Sequence, residues 1–152
     1  MFVELFAKSA LFKDLEPSEL EQIVQVCNVE ELKHGEYVFR EGDEGERLYL
    51  IAEGAVRISR QIAGMGEEAL VVLKEGAYFG EMSLFDGHPR SADAIVDSRC
   101  LLLSITRDDF MAIIEADKEV AYKVQSAMIG ILSERLRMSN EQLRSIMIMA
   151  MF

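Results

Sequence analysis

Between residues 28 and 106 the sequence is a succession of short apolar segments separated by glycine-containing turns, which restricts the fold more than any other feature. The segments are YVF (37–39), LYLIA (48–52), AVRISRQI (55–62), ALVVL (69–73), SADAIV (91–96) and CLLLSI (100–105). Many short strands at regular spacing are typical of a sandwich or barrel. Residues 55–62 alternate apolar and polar side chains, which indicates a sheet with one solvent-facing side. The central part of the chain therefore predicts a mainly β fold.

The first 27 residues have a helical pattern. Apolar residues recur near the helical period, at Leu20, Ile23, Val24 and Val26. The helix start is marked either by Pro17 in a first turn or by Ser18 with Glu21 at the spacing of a capping box. A further short helix that packs back on the body of the domain would contain Phe2, Leu5, Phe6, Leu11 and Phe12.

Residues 107–152 return to a helical pattern. Thr106 with Asp109 has the spacing of an N-terminal cap, and a long helix without proline is predicted from about Asp117 nearly to the end. A series along this helix steps by 4, 3, 4, 3 and 4 positions, at Leu132, Leu136, Ser139, Leu143, Ile146 and Ala150. Because this spacing is typical of a two-helix seam, we expect a homodimer through this helix. Packing of the helix on its own barrel is the alternative.

The length of 152 residues suits one domain, with helices at 1–27, a β region at 28–106 and helices at 107–152. The 16 Lys and Arg against 27 Asp and Glu give a net charge of −11, which argues against direct nucleic-acid binding. No run of about 18 apolar residues is present, so we expect no membrane span. The two cysteines are too few for a disulfide framework, which favours reduced thiols and a cytoplasmic location.

The sequence offers little for catalysis. Metal enzymes built on β-barrels need clustered histidine and carboxylate ligands, whereas this chain has only His34 and His88, each beside a glycine at a turn. It has neither a phosphate-loop motif nor a nucleophile elbow. We therefore expect neither an enzyme nor a metal site. Arg135, Arg137 and Arg144 are interspersed with acidic residues and are interpreted as a solvated helix face.

Residues 76–96, GAYFGEMSLFDGHPRSADAIV, carry the most informative chemistry. Gly80 permits a close backbone approach, and the EMSLF segment after it could form one helical turn whose free N–H groups point at an anion. Arg90 offers a planar fork of donors for phosphate oxygens. Glu81 is an acceptor suited to a sugar hydroxyl. Together these groups match a sugar phosphate, and the alternative is a surface turn with an Arg90–Glu81 ion pair.

Two segments resemble the cyclic nucleotide-binding domain family. FGEMSLFDGHPRSA, at 79–92, is similar to the family's phosphate-binding cassette, and EGDEGERLYLIAEGAVRI, at 41–58, is similar to its glycine-punctuated hairpin. The resemblance covers about residues 9–145. It implies a mainly β fold: a double-stranded β-helix, or jelly-roll-like, barrel with N-terminal helices and a long C-terminal helix.

The resemblance also implies roles for single residues. Glu81 would accept a hydrogen bond from the ribose 2′-OH, and Arg90 would pair with the cyclic phosphate. Leu70 falls on a strand that lies against the base in relatives. The segment departs from the family at Asp93, where an uncharged residue is usual, and we expect this side chain to point outward. The full expected ligand-binding set is Gly80, Glu81, Met82, Ser83, Arg90, Ser91, Leu70, Ser139 and Asn140.

Ser139 and Asn140 belong to that set because residues 135–143 resemble the dimer helix of bacterial catabolite activators, in which polar residues of both subunits contact the base. The alternative is that these polar residues only set the register of a helical seam. The activator resemblance stops at Phe152, and no helix-turn-helix pattern is present.

The function implied is that of a sensor in signal transduction, which binds cyclic AMP and moves its C-terminal helices to engage an unknown effector. Cyclic GMP and a cyclic dinucleotide are alternative ligands. Cyclic GMP is retained as an alternative because of the hydroxyl of Ser91. A different class of function, a dimerisation or scaffold module that uses no nucleotide, is suggested by the apolar, methionine-rich segment IMIMAMF at 146–152.

Overall fold

The computed structural model describes residues 2–152, and Met1 lies outside the described residues. These residues form five helices and six strands. In chain order the elements are α1 (Phe2–Lys8), α2 (Pro17–Val26), β1 (Asn28–Leu32), β2 (Tyr37–Phe39), β3 (Arg47–Ile62), β4 (Gly66–Lys74), β5 (Tyr78–Phe79), α3 (Glu81–Asp86), β6 (Asp93–Thr106), α4 (Arg107–Ala116) and α5 (Lys118–Ala150).

The sheet is antiparallel and is built around the two longest strands, β3 and β6. Its strand order is β1-β6-β3-β4, while β2 pairs with β6 and β5 pairs with β3. The predicted fold class, mainly β with flanking helices and a long C-terminal helix, is confirmed. Among the described strands, hydrogen bonding does not close the sheet into a complete barrel.

The Glu53-Gly54 pair, predicted as a turn between two strands, instead lies inside β3. The pairing of β3 with β6 shifts register on both sides of Glu53. Gly54 has φ 88°, and a Cβ placed there would lie 2.1 Å from the carbonyl oxygen of Arg99. The glycine therefore permits an irregularity that bends a continuous strand rather than ending it.

Two apolar clusters lie on opposite faces of the sheet. Successive residues of β3 alternate between them, because side chains along a strand point to opposite faces. One cluster joins the sheet to the helices and includes Phe6, Phe12, Leu50, Phe110, Val120 and Val124. The other lies on the opposite face, beside the cassette, and includes Tyr49, Ile51, Val56, Phe79, Val96 and Leu102.

The helix starts follow the sequence in most respects. α2 begins at Pro17, as predicted, but the Ser18–Glu21 capping box is wrong, because the helix already includes both residues. The Glu16 N–H instead donates to Glu19 Oε1 at 2.8 Å. The predicted cap before α4 is confirmed, with the Asp109 N–H donating to Thr106 Oγ1 at 3.1 Å.

Only the first part of α5 packs on the body of the domain. Its buried residues are Val120, Val124 and Met128. The apolar seam residues are exposed, namely Leu132, Leu136, Leu143 and Ile146. The alternative in which the whole helix packs on its own barrel is therefore wrong, while the homodimer remains a prediction. In residues 2–152 no helix is both long enough and apolar enough to cross a membrane.

Candidate functional site

A cavity of about 360 Å³ lies between the β3–β4 hairpin, the cassette and α5. Its apolar wall consists of Phe39, Ile58, Val71, Leu73, Phe79 and Met82. Its polar end consists of Gly80, Glu81, Ser83, Arg90, Ser91 and Arg135. The combination of an apolar wall with a few convergent polar groups is typical of small-molecule sites.

The structure brings six of the predicted site residues together at this cavity, all from the cassette: Gly80, Glu81, Met82, Ser83, Arg90 and Ser91. It does not bring Leu70 there. The register of β3 with β4 shifts so that Ile58 opposes Val71 and Ser59 opposes Ala69. This shift leaves Leu70 unpaired and exposed, and Val71 and Leu73 line the cavity instead. Ser139 and Asn140 are exposed on α5 outside the lining.

The short helix predicted inside the cassette is α3, and Gly80 makes its position possible. Gly80 has φ 82°, in the left-handed region. A Cβ at this position would lie 2.6 Å from Arg90 Nη1 and 2.9 Å from the Arg47 carbonyl oxygen. Glycine therefore allows the backbone to pass directly against the guanidinium. The first turn of α3 lines the cavity, where its N–H groups have no acceptor within the helix.

Arg90 is a buried cation with a free donor. Its side chain donates from Nη1 to the Gly80 carbonyl oxygen at 3.0 Å and from Nη2 to the Arg47 carbonyl oxygen at 2.7 Å. The guanidinium lies over the Phe39 ring, 4.1 Å from the centroid. Among the described residues Nε has no hydrogen-bond partner. Burial lowers the pKa of Arg90. A desolvated guanidinium with an unpaired donor is suited to bind an anion.

Glu81 is paired with a helix that is distant in sequence. Its side chain is buried, and Oε1 accepts a hydrogen bond from Arg135 Nη1 at 2.6 Å. Arg135 lies on α5 and is half-exposed. Arg135 is therefore exposed, as the sequence indicated, but it also has a specific partner in the cassette. The alternative of an Arg90–Glu81 surface pair is wrong, because both side chains are buried and each has other partners.

Asp93 does not point outward as expected. It is 6% exposed, and its Oδ1 accepts the Glu41 N–H at 2.7 Å. It is also not among the residues that line the cavity. The extra negative charge is therefore held by the backbone next to the cassette rather than presented to a ligand.

The residues that line the cavity include no histidine or cysteine. No cluster of three or more His, Cys, Asp and Glu side chains suited to a metal ion occurs in residues 2–152. Both cysteines are free, and burial raises the pKa of Cys27 to about 12. The cavity can bind an anionic sugar derivative: it places a cation, helix N–H groups and a carboxylate acceptor at one end and apolar side chains at the other.

These features define a small-molecule-binding domain built on an antiparallel β fold, with its cavity beside a long helix. Residues 29–117 match the family model of the cyclic nucleotide-binding domain. The chain belongs to this family.

Three known proteins show what the chain is similar to. It is 36% identical over 135 residues to the "Cyclic AMP receptor protein" of Thermus thermophilus, covering 89% of this chain and 61% of the relative. It is 31% identical over 140 residues to a "CRP-like cAMP-activated global transcriptional regulator" of Mycobacterium tuberculosis, covering 92% and 61%. The crystal structure of the Thermus thermophilus catabolite activator protein superimposes with a TM-score of 0.80 at 34% identity, covering 91% of this chain and 63% of that one. The chain thus spans 61% of the length of both curated relatives.

Proposed function

We propose that this domain is a cyclic AMP sensor whose ligand acts on α5. The cyclic phosphate would bind Arg90 and the N–H groups at the start of α3, and the ribose 2′-OH would donate to Glu81. The unpaired Nε of Arg90 supports this arrangement, because a phosphate oxygen would complete the hydrogen bonding of the buried cation.

The apolar wall of the cavity is suited to the base. Val71 and Leu73 come from the β4 side and Met82 from α3. Cyclic AMP is the favoured ligand because the relatives from Thermus thermophilus and Mycobacterium tuberculosis are both named for it. Cyclic GMP is the first alternative, since the Ser91 hydroxyl stands at the phosphate end. A cyclic dinucleotide is the second alternative.

The ion pair between Glu81 and Arg135 is the observation that supports an action of the ligand on α5. Glu81, the expected ribose acceptor, accepts a hydrogen bond from Arg135 of α5. A ribose hydroxyl that donates to Glu81 must share or replace that contact. Ligand binding is then linked to the position of α5. The helix would have one position when Arg135 pairs with Glu81 and another when the ribose replaces that contact, and the two positions would bind the nucleotide with different affinity.

The helix geometry supports a homodimer in which both subunits contribute to the site. At 100° per residue, Ser139 lies about 40° from Arg135 around the helix and about 6 Å further along it, on the cavity side. Asn140 lies about 140° from Arg135, so it would reach a base only in the other subunit. The exposed apolar series on α5 supports pairing of two such helices. An effector would then respond to the paired helices. We also propose that the domain acts in the cytoplasm.

Thermal unfolding with added nucleotides tests the sensor. At ~100 times Kd a ligand adds about 2.7 kcal/mol of stability, which raises the Tm by roughly 5–11 °C at this chain length. We expect this shift with cyclic AMP, and smaller shifts with cyclic GMP, a cyclic dinucleotide and linear AMP. Arg90→Ala should abolish it. Arg99→Ala is the matched control, because Arg99 is exposed and pairs with Glu31 away from the cavity. The absence of any shift in nucleotide-free protein would refute the proposal.

The scaffold function remains the second candidate because of one observation. From Met147 onward the end of α5 and the two residues after it expose their large apolar side chains, namely Met147, Ile148, Met149, Met151 and Phe152. Deletion of residues 146–152 distinguishes the two functions. A scaffold would dissociate to monomers regardless of nucleotide, whereas a sensor would keep its cyclic AMP-dependent Tm shift.

A further inference from the structure

Asp93 is the first residue of β6, and its side chain connects this strand to the turn after β2. Its buried Oδ1 accepts the Glu41 N–H at 2.7 Å. The backbone pairing of β2 with β6 extends only to Phe39 opposite Ala94. Beyond this point the carbonyl oxygens of β6 are no longer in register with the chain that follows β2. The Asp93 carboxylate supplies the hydrogen-bond acceptor there instead.

The turn that begins at Glu41 holds the main chain of Arg90 by two hydrogen bonds. The Gly42 N–H donates to the Arg90 carbonyl oxygen at 2.9 Å, and the Arg90 N–H donates to the Asp43 carbonyl oxygen at 2.8 Å. The guanidinium is held separately, by the carbonyl oxygens of Gly80 and of Arg47 in β3. The turn therefore fixes the main chain from which the Arg90 side chain extends, and a displaced turn shifts the base of that side chain.

We propose that Asp93 is a positioning residue for the anion site, acting on the main chain of Arg90 through the turn at 41–43. The inference rests on the proposed function, because it takes Arg90 as the cation that meets the nucleotide phosphate. An ionised carboxylate is suited to the task, since its hydrogen bonds to backbone N–H groups are stronger than those of a neutral acceptor. Asparagine retains an acceptor oxygen at the same place, whereas alanine removes it.

Two variants and one control separate positioning from a general structural role. Asp93→Ala removes the acceptor, Asp93→Asn retains it, and Asp97→Asn changes an exposed carboxylate of the same strand that pairs with Arg57. Cyclic AMP affinity is measured by calorimetry. Amide hydrogen exchange of Gly42 and Arg90 is measured without nucleotide. Should Asp93→Ala fail to fold by circular dichroism, Asp93→Ser replaces it, because its shorter hydroxyl withdraws the acceptor from Glu41.

We expect Asp93→Ala to weaken cyclic AMP binding about tenfold, in keeping with the loss of one charged hydrogen bond. Exchange at the Gly42 and Arg90 amides should become faster while the β1–β6 amides stay protected. Asp93→Asn and Asp97→Asn should bind within about threefold of the parent, a difference below that expected of a charged hydrogen bond. Parental affinity in Asp93→Ala, or slow exchange at both amides, would overturn the inference. Failure of the parent itself to bind cyclic AMP would instead refute the proposed function, and the exchange data would still decide whether Asp93 fixes the turn.

Discussion

Replacing Arg135 by methionine should separate nucleotide binding from its effect on α5. Methionine keeps an unbranched apolar side chain but cannot donate to Glu81. In the parent the two side chains meet at 2.6 Å, with Glu81 buried and Arg135 47% exposed. The variant leaves the cassette residues in place and removes the contact that joins the cassette to the helix.

The size of the effect follows from that geometry. A hydrogen bond to a charged group contributes about 1.5–3 kcal/mol, and solvent around the half-exposed guanidinium favours the lower end of this range. About 1.5 kcal/mol corresponds to roughly a tenfold difference in affinity between two helix positions, within the usual range of allosteric coupling. Removing the pair should therefore remove most of the linkage, while Arg90 still binds the phosphate.

The assay is hydrogen exchange across residues 107–150 with and without saturating cyclic AMP, together with calorimetric titration. In the parent we expect the nucleotide to change exchange in α5. In Arg135→Met we expect binding within about tenfold of the parent, the size of the lost charged hydrogen bond, and no nucleotide-dependent change in α5. Arg137→Met is the matched control, because Arg137 is exposed and pairs only weakly with Glu134 on the same helix, at 3.5 Å.

The reasoning is refuted if Arg135→Met and the parent show the same nucleotide-dependent exchange in α5. That result would mean that another contact transmits binding to the helix. Loss of binding in Arg135→Met with no loss in Arg137→Met would instead assign Arg135 to the ligand site itself.

Three further predictions concern stability, measured by urea unfolding. Gly45→Ala should cost about 1–3 kcal/mol by overpacking, since a Cβ there would lie 1.9 Å from the Cβ of Ser83; parental stability would show that α3 yields easily. Phe110→Ala should cost about 3–5 kcal/mol, because the ring is fully buried between the sheet and the helices; a smaller loss would mean that the core collapses around the gap. The hydrogen bond from Lys123 holds the pKa of Glu19 below its ordinary value. The stability that this ion pair contributes to the folded state is therefore present above about pH 4.3 and is lost as the pH falls through the lowered pKa of Glu19. Lys123→Met should therefore lose less stability than the parent between neutral pH and pH ~3, and equal losses would contradict this.

The parts of the site that the sequence predicted are local. Gly80, Glu81 and Arg90 fall within one short segment, whose turns can be predicted from neighbouring residues. In the structure all three lie at one end of the cavity. The cap formed by Thr106 was predictable for the same reason, since it depends on residues three positions apart.

The remaining features depend on contacts between distant segments. Arg135 is 54 positions from Glu81, and no periodicity indicates which helical arginine faces the cassette. The cavity face of β4 could not be assigned either, because one register shift opposite Ser59 displaces Leu70 from the alternation. Asp93 resembled a surface residue because its acceptor role exists only where β2 ends beside β6.

The unpacked part of α5 makes the helix a lever arm. From Met128, its last buried residue, to Ala150 the helix extends ~33 Å at 1.5 Å per residue. A tilt of ~10° about that fulcrum would move the far end by ~6 Å over this length, whereas a contact at Arg135, ~10 Å along the arm, would move by less than ~2 Å. Under the proposed linkage, a displacement of less than ~2 Å beside the ribose would become a movement of about one helical turn at the tip.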